Sequence, residues 1–171
     1  LLHDPPRFSE ILVLGHREGA LIGMIASQKN EVKKFVSVAG AGISAGDIIR
    51  EQLKAQPAVI LNQSLPIIEK LENGERVENI PQMLYPLFRP SVQPYMISWF
   101  KYNPQIEIAK LNKPILIIQG TTDIQVSVSD ADKLASANKK SQKKIIEGMN
   151  HILKEAELDR QKNIQTYSMP D

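Results

Sequence analysis

Residues Glu10 to Ser27, EILVLGHREGALIGMIAS, constrain the chain more than any other stretch. The continuous apolar run Ile11 to Leu14 fits a strand buried on both faces, and Gly15-His16-Arg17-Glu18-Gly19 then turns the backbone sharply. A helix has to follow at once, because Ala20, Leu21, Met24 and Ile25 fall on one face at helical spacing. Gly19 and Gly23 lie one turn apart and would let that helix sit close against a sheet. The order is strand, tight turn, helix.

That is the frame of a nucleophile elbow, Gly-x-Ser-x-Gly, which holds its central residue on a strained turn at the carboxyl end of a strand. Glycines are expected on both sides because backbone and helix crowd there. In this frame the chain resembles the α/β-hydrolase family, and within it the serine esterases, lipases and aminopeptidases whose elbows read Gly-His-Ser-x-Gly. Gly15, His16 and Gly19 match; the nucleophile position is Arg17.

The chain has 171 residues, one ordinary domain by size and enough to bury a core, but less than an α/β hydrolase contains. Its 42% hydrophobic and 23% charged residues are a globular composition. No apolar run approaches the roughly 20 residues needed to cross a bilayer, so no membrane span is expected. The net charge is only +2, and the one dense basic cluster, Lys139, Lys140, Lys143 and Lys144, has no interleaved aromatics; it reads as a solvated face and not a nucleic-acid surface. With no cysteine there is no disulfide, thiol nucleophile or thiolate metal site. His3, His16 and His151 are scattered without ligand spacing, so neither metal nor cofactor is expected. Leu1 to Pro6, LLHDPP, reads as the end of a helix broken by two prolines, and the natural start of the protein is expected upstream of it.

After the elbow helix, which should end near Gln28 to Asn30, Lys34 to Gly40 is a second short strand. From Ile43 the character changes. Ser44 and Asp47 have capping-box spacing ahead of Ile48, Ile49 and Leu53, and a further helix from Pro57 to Leu71, with Pro66 inside it, stops at Asn73-Gly74. Asn79 to Pro104 is dense in proline and aromatics, which dictates short helices and turns. Residues 43–109 therefore read as an all-helical segment between two parts of an α/β core, 1–42 and 110–171. In the resembling family such a cap shapes the substrate pocket. Tyr95, Trp99 and Phe100 are the residues best suited to line it, the alternative being that these aromatics form the core of the helical segment itself.

Ile115 to Gly120, ILIIQG, is another buried parallel-type strand, and Asp123 follows directly in the loop where open α/β sheets place their chemistry. Ser127 with Asp130, and Ser129 with Asp132, both have cap spacing before a helix over Ala131 to Asn138, which assigns those two acids local roles. Lys144 to Gly148 is the last strand, followed by Met149-Asn150-His151 and a terminal helix from Leu153 to about Tyr167. Taken singly, Asp123 reads as a surface-turn acid and His151 as a structural histidine. Their order behind the elbow, each directly after its own strand, is the Ser, Asp, His order of α/β hydrolases.

The resemblance implies a partial α/β-hydrolase fold, the second half of a parallel sheet flanked by helices with an inserted helical cap, because the segment before Phe8 is too short for the first four strands. It implies His151 as general base, Asp123 as the carboxylate that orients it, and the backbone N–H of Glu18 as an oxyanion donor. The activity implied is hydrolysis of small carboxylic esters or amides. With Arg17 at the nucleophile position the chain is expected to be inactive, a pseudoenzyme; the other reading is a non-catalytic binding module on the same scaffold. For the Arg17 side chain two outcomes are open: a charge-assisted pair with Asp123, or extension into solvent. The strained elbow gives the turn reason to relax around so large a residue. Strand 11–14, lacking a neighbour, would present an apolar edge that either the rest of the enzyme as a separate chain or a second copy, as a homodimer, could cover.

Overall fold

A computed structural model describes residues 9–169; the reading of Leu1 to Pro6 falls outside the described residues. The chain divides into two compact units, one formed by 1–42 with 104–171 and the other by Ile43–Asn103.

The first unit is built on a four-stranded, wholly parallel sheet in the order β1-β2-β3-β4, with β1 Ile11–His16, β2 Val32–Val38, β3 Ile115–Gly120 and β4 Ser141–Ile146. Leu14 is level with Val36, and Val36 with Leu116, so the carboxyl ends of the inner strands form a common rim. Helix α1, Glu18–Ala26, connects β1 to β2 and packs on both. Gly23 permits the contact, since a Cβ there would lie 2.7 Å from the Phe35 ring. The β2 and β3 side chains Phe35, Val38, Ile115 and Ile117 are buried. Ile11, Leu12 and Leu14 are not: their exposures of 47%, 52% and 61% contradict a strand buried on both faces, because β1 is an outer strand. The opposite outer strand, β4, begins three residues earlier than its apolar residues suggest. Gln142, Lys143 and Lys144 point outward there, and the Lys143 ammonium pairs with Asp132, the usual polar protection of an edge.

In chain order the second unit comes after β2 and before β3. Helix α2, Ala45–Leu53, is capped by Ser44, whose hydroxyl accepts from Asp47 N–H at 3.2 Å; α3, Ala58–Glu72, runs through Pro66 and ends before Gly74 with its φ of +81°. The Arg50 guanidinium grips both oxygens of Glu72 at 2.7 and 2.6 Å, tying α2 to α3. The prolines break the rest into a single 3-10 turn, α4 at Tyr85–Phe88 and α5 at Gln93–Phe100. Ile49, Leu53, Ile68, Leu71, Phe88, Met96 and Phe100 make this unit's core. Buried Gln93 organises its irregular stretch, donating to Val77 O and Phe88 O and accepting from Val77 N–H, each at 2.8 Å.

Helix α6, Pro104–Ala109, which the sequence joins to the helical segment, packs against α1 and against α7, Val128–Ala137, in the sheet unit. The cause is a buried carboxylate: Glu107 accepts from Gln28 Nε2 and Lys110 Nζ, both at 2.7 Å. Only the first of the two cap motifs before α7 is used. The Asp130 carboxylate reaches back to Ser127 N–H at 3.0 Å, while Ser129 lies inside the helix.

The terminal helix is much shorter than the sequence suggests, α8 covering only Arg160–Gln165 before a 3-10 turn at Thr166–Ser168. Residues 151–159 are held out of helix by side-chain competition. Asn150 Oδ1 accepts from Ile152 N–H and Lys154 N–H at 3.1 and 3.0 Å, Leu153 takes a φ of +68°, and Met149 bridges Glu155. No helix among the described residues is long and apolar enough to cross a membrane.

The ends of β3 and β4 meet so closely that a Cβ on Gly120 would lie 1.8 Å from Met149 O, against backbone that cannot give way. Gly120→Ala should therefore destabilise the protein by about 3 kcal/mol or more, at the upper end of overpacking costs. Urea unfolding of the two proteins side by side measures it, and a variant as stable as the parent contradicts the packing described.

Candidate active site

The elbow keeps its strain. Arg17 sits at φ 60°, ψ −127°, a region disfavoured for any residue with a side chain and costing on the order of 1 to 3 kcal/mol. The turn has not relaxed around the large side chain, because its backbone is held on both sides: Arg17 N–H donates to Val38 O at 3.1 Å, and Arg17 O accepts from Ala20 N–H at 3.0 Å. Gly15 is required, since a Cβ there would meet Gly19 O at 2.2 Å. Gly19 is not. A Cβ at that position has nothing within 4 Å, which corrects the expectation of crowding at both glycines. Glu18 opens α1, so helix geometry leaves its N–H without an intrahelical acceptor.

At the ends of β3 and β4, His151 Nδ1 lies 2.8 Å from Asp123 Oδ2, with the two side chains only 2% and 1% exposed. The carboxylate can only accept, so Nδ1 carries a proton; in the neutral ring that leaves the lone pair on Nε2, the tautomer that a general base needs. Asp123 Oδ1 accepts from Gln125 N–H at 2.8 Å and Val126 N–H at 2.9 Å, and Oδ2 also accepts from Gln119 Nε2 at 3.1 Å. Burial by itself pushes the Asp123 carboxyl up. The hydrogen bond from His151, those from the Val126 and Gln125 N–H groups and the imidazole's charge outweigh it and hold the group below its ordinary value.

These donors already occupy both oxygens of the carboxylate, and Arg17 does not pair with Asp123. Its side chain is exposed and makes no ion pair with any described residue. What joins the elbow to the imidazole is its neighbour. His16 Nε2 donates to His151 O at 2.9 Å, and the two rings lie 5.6 Å apart between centroids. In the sequence His16 was visible as the histidine of the elbow frame, with nothing to show what its ring would hold, and Gln119 as a polar residue inside an apolar strand. The glutamine was the stronger signal, because a buried amide demands partners.

In the helical unit, Tyr95 and Trp99 lie one turn apart on α5 with ring centroids 5.7 Å apart. Phe100 is part of that unit's buried core, Trp99 packs partly against it, and Tyr95 is half exposed. Among the described residues no group of three His, Asp or Glu side chains converges as metal ligands would.

No family model matches the chain. It is 24% identical over 160 residues to esterase EstD of Thermotoga maritima, an alignment covering 90% of this chain and 37% of EstD. Among solved structures it superposes on Est1E from Butyrivibrio proteoclasticus with a TM-score of 0.54 at 18% identity, covering 94% of this chain and 58% of that one. It superposes equally well, TM-score 0.54 at 12% identity, on an α/β-fold hydrolase from Bacillus anthracis, covering 84% of this chain and 62% of that one. The chain thus spans less than two thirds of each of these proteins, and little more than a third of EstD. The parallel sheet with its flanking helices is part of the fold those structures share.

The direction of the Asp123 shift sets a pH dependence. A carboxyl held below its unfolded value of about 3.9 adds stability above that pH and loses it as pH falls through the folded value. The stability gap between the parent and Asp123→Asn should therefore be fully present at neutral pH and narrow as pH drops below about 4. Urea unfolding across that range measures it; a gap that stays constant overturns the assignment.

Proposed function

We propose that this chain, a member of the α/β-hydrolase family, carries the acid–base half of a serine-hydrolase site for small carboxylic esters or amides, and that Arg17 leaves the site without a nucleophile. The observation that carries the reading is the buried His151–Asp123 pair at 2.8 Å, tied through His16 to a turn that keeps the elbow's strained backbone. With a serine at position 17, His151 Nε2 would take the hydroxyl proton as the oxygen attacks the carbonyl carbon. Asp123 would hold the imidazolium, and the Glu18 N–H would bind the developing oxyanion. His151 would then return the proton to the leaving alcohol or amine, and water would repeat the cycle on the acyl-enzyme.

A guanidinium can do none of this, because it only donates hydrogen bonds and stays protonated. Loss of the serine from such a site costs a factor of about a million in turnover, so the chain as it stands would not measurably hydrolyse an ester. The exposed Arg17 side chain, without an ion pair to any described residue, favours one second reading: a binding module that keeps the scaffold and has given up its chemistry.

A fluorophosphonate probe, which labels only an activated serine, separates the readings. The parent chain is expected to stay unlabelled. Arg17→Ser should label, and His151→Ala in that background should abolish labelling. An Arg17→Ser protein that folds and never labels overturns the hydrolase reading.

We also propose that a second copy covers the outer edge of β1, where Ile11, Leu12 and Leu14 are exposed. Light scattering should find the parent dimeric and a Leu12→Lys, Leu14→Lys variant monomeric; a parent that stays monomeric at high concentration ends that proposal.

A further inference from the structure

Helix α8 buries one residue, and that residue is polar. Of Arg160–Gln165 only Asn163 is buried, at 0% exposure, while Ile164 is 48% exposed. Six residues are too few for a helix to persist in water without tertiary support, and no apolar face supplies that support here. Hydrogen bonds supply it instead. Asn163 Nδ2 donates to Thr122 O at 2.8 Å and to Glu157 O at 2.9 Å, and its Oδ1 accepts from Asn150 Nδ2 at 3.4 Å. Asn150, also at 0% exposure, donates from the same nitrogen to Thr166 Oγ1 at 2.8 Å, and that hydroxyl donates to Asn163 O at 2.7 Å.

The two ends of this network are adjacent in sequence to the acid and the base. Thr122 precedes Asp123, and Asn150 precedes His151. Asn150 Oδ1 folds the histidine loop by accepting from Ile152 N–H and Lys154 N–H, and His16 holds the peptide of His151 from the other side. The acid and base loops leave different strands, and the network joins them through a third element.

We propose that Asn163, acting with Asn150 and Thr166, is a positioning residue, and that 157–168 is a polar strap which sets the separation of Asp123 and His151. The proposal deepens the reading of that pair as a hydrolase's acid–base half and rests on it. A hydrogen-bonded pair in a water-poor site tolerates displacements of only about half an ångström before its geometry is lost. Apolar packing specifies position less sharply than donors and acceptors of fixed direction. Buried amides are what the strap uses.

The test reads the imidazole directly, in the protein as it stands. In the parent, nitrogen NMR of His151 should show one tautomer, protonated at Nδ1, with that proton protected from exchange with water. In folded Asn163→Ala the proton should exchange at least about tenfold faster, the size expected when a buried hydrogen bond is lost and its partners are left unsatisfied, and the second tautomer should appear. Thr166→Val should move the same signals in the same direction, and Thr166→Ser, which keeps the hydroxyl, should restore the parent's values. This pair carries the test if Asn163→Ala does not fold. Unchanged tautomer and exchange in a folded variant whose only change is a lower Tm make Asn163 merely structural and overturn the proposal. Labelling separates this from failure of the hydrolase reading. Arg17→Ser that labels equally fast with and without Asn163→Ala overturns the strap alone. Arg17→Ser that never labels, while the His151 signals still depend on Asn163, supports the positioning effect and removes its catalytic meaning.

Discussion

A carboxylate with a side chain only 1% exposed must be met by donors, and the ends of β3 and β4 are arranged around that demand. Asp123 receives two backbone N–H groups of its own loop, the amide of Gln119 from inside β3, and the imidazole of His151. Each donor fixes something else in turn. The two N–H bonds close the loop after β3, Gln119 also donates to Val126 O at 2.9 Å, and the imidazole is left with one tautomer. Remove the charge and the donors lose their common acceptor.

Across the rim, the elbow is constrained from a different source. Its conformation depends on a backbone bond to β2, on the close approach of α1 to Gly15, and on the His16 bond to the histidine loop; the identity of residue 17 enters none of these. This is why a strained turn survives with an arginine on it: the surrounding bonds determine the geometry more than once over, and strain of on the order of 1 to 3 kcal/mol is smaller than the cost of breaking them all. A turn held in this way keeps its shape whatever side chain it carries.

Much of this was legible in the sequence because it is written locally. The elbow needs a short apolar run, a glycine where helix meets strand, and a helix directly after, all within Glu10 to Ser27. Strand β3 opens on the apolar run Ile115 to Ile118, the cap at Ser44 is a three-residue spacing, and proline density alone breaks up 79–104. What misled were elements whose local pattern is overruled by distant partners. Residues 153–159 have the composition of a helix, yet the Asn150 carbonyl captures the N–H groups that would start one. Gln142 and Lys143 do not read as strand, yet they lie in β4 because an outer strand turns such residues to water. Helix α6 follows the helical segment in the chain but joins the sheet unit through Glu107 and Gln28, 79 positions apart.

The sequence by itself determined the order of the elements and the places where the chain must turn, because apolar period, glycine and proline act over a few residues. It also placed Asp123 and His151 each in a loop behind its own strand. Only the tertiary structure decided that these two are buried against one another, that Arg17 faces solvent instead of joining them, and that the amides of Asn150 and Asn163 tie their loops together. Such pairings depend on direction and distance between atoms 28, 106 and 13 positions apart along the chain, counted from 123 to 151, 17 to 123 and 150 to 163. Separations of that size are set by how strands and helices pack, and no local pattern of residue types encodes them.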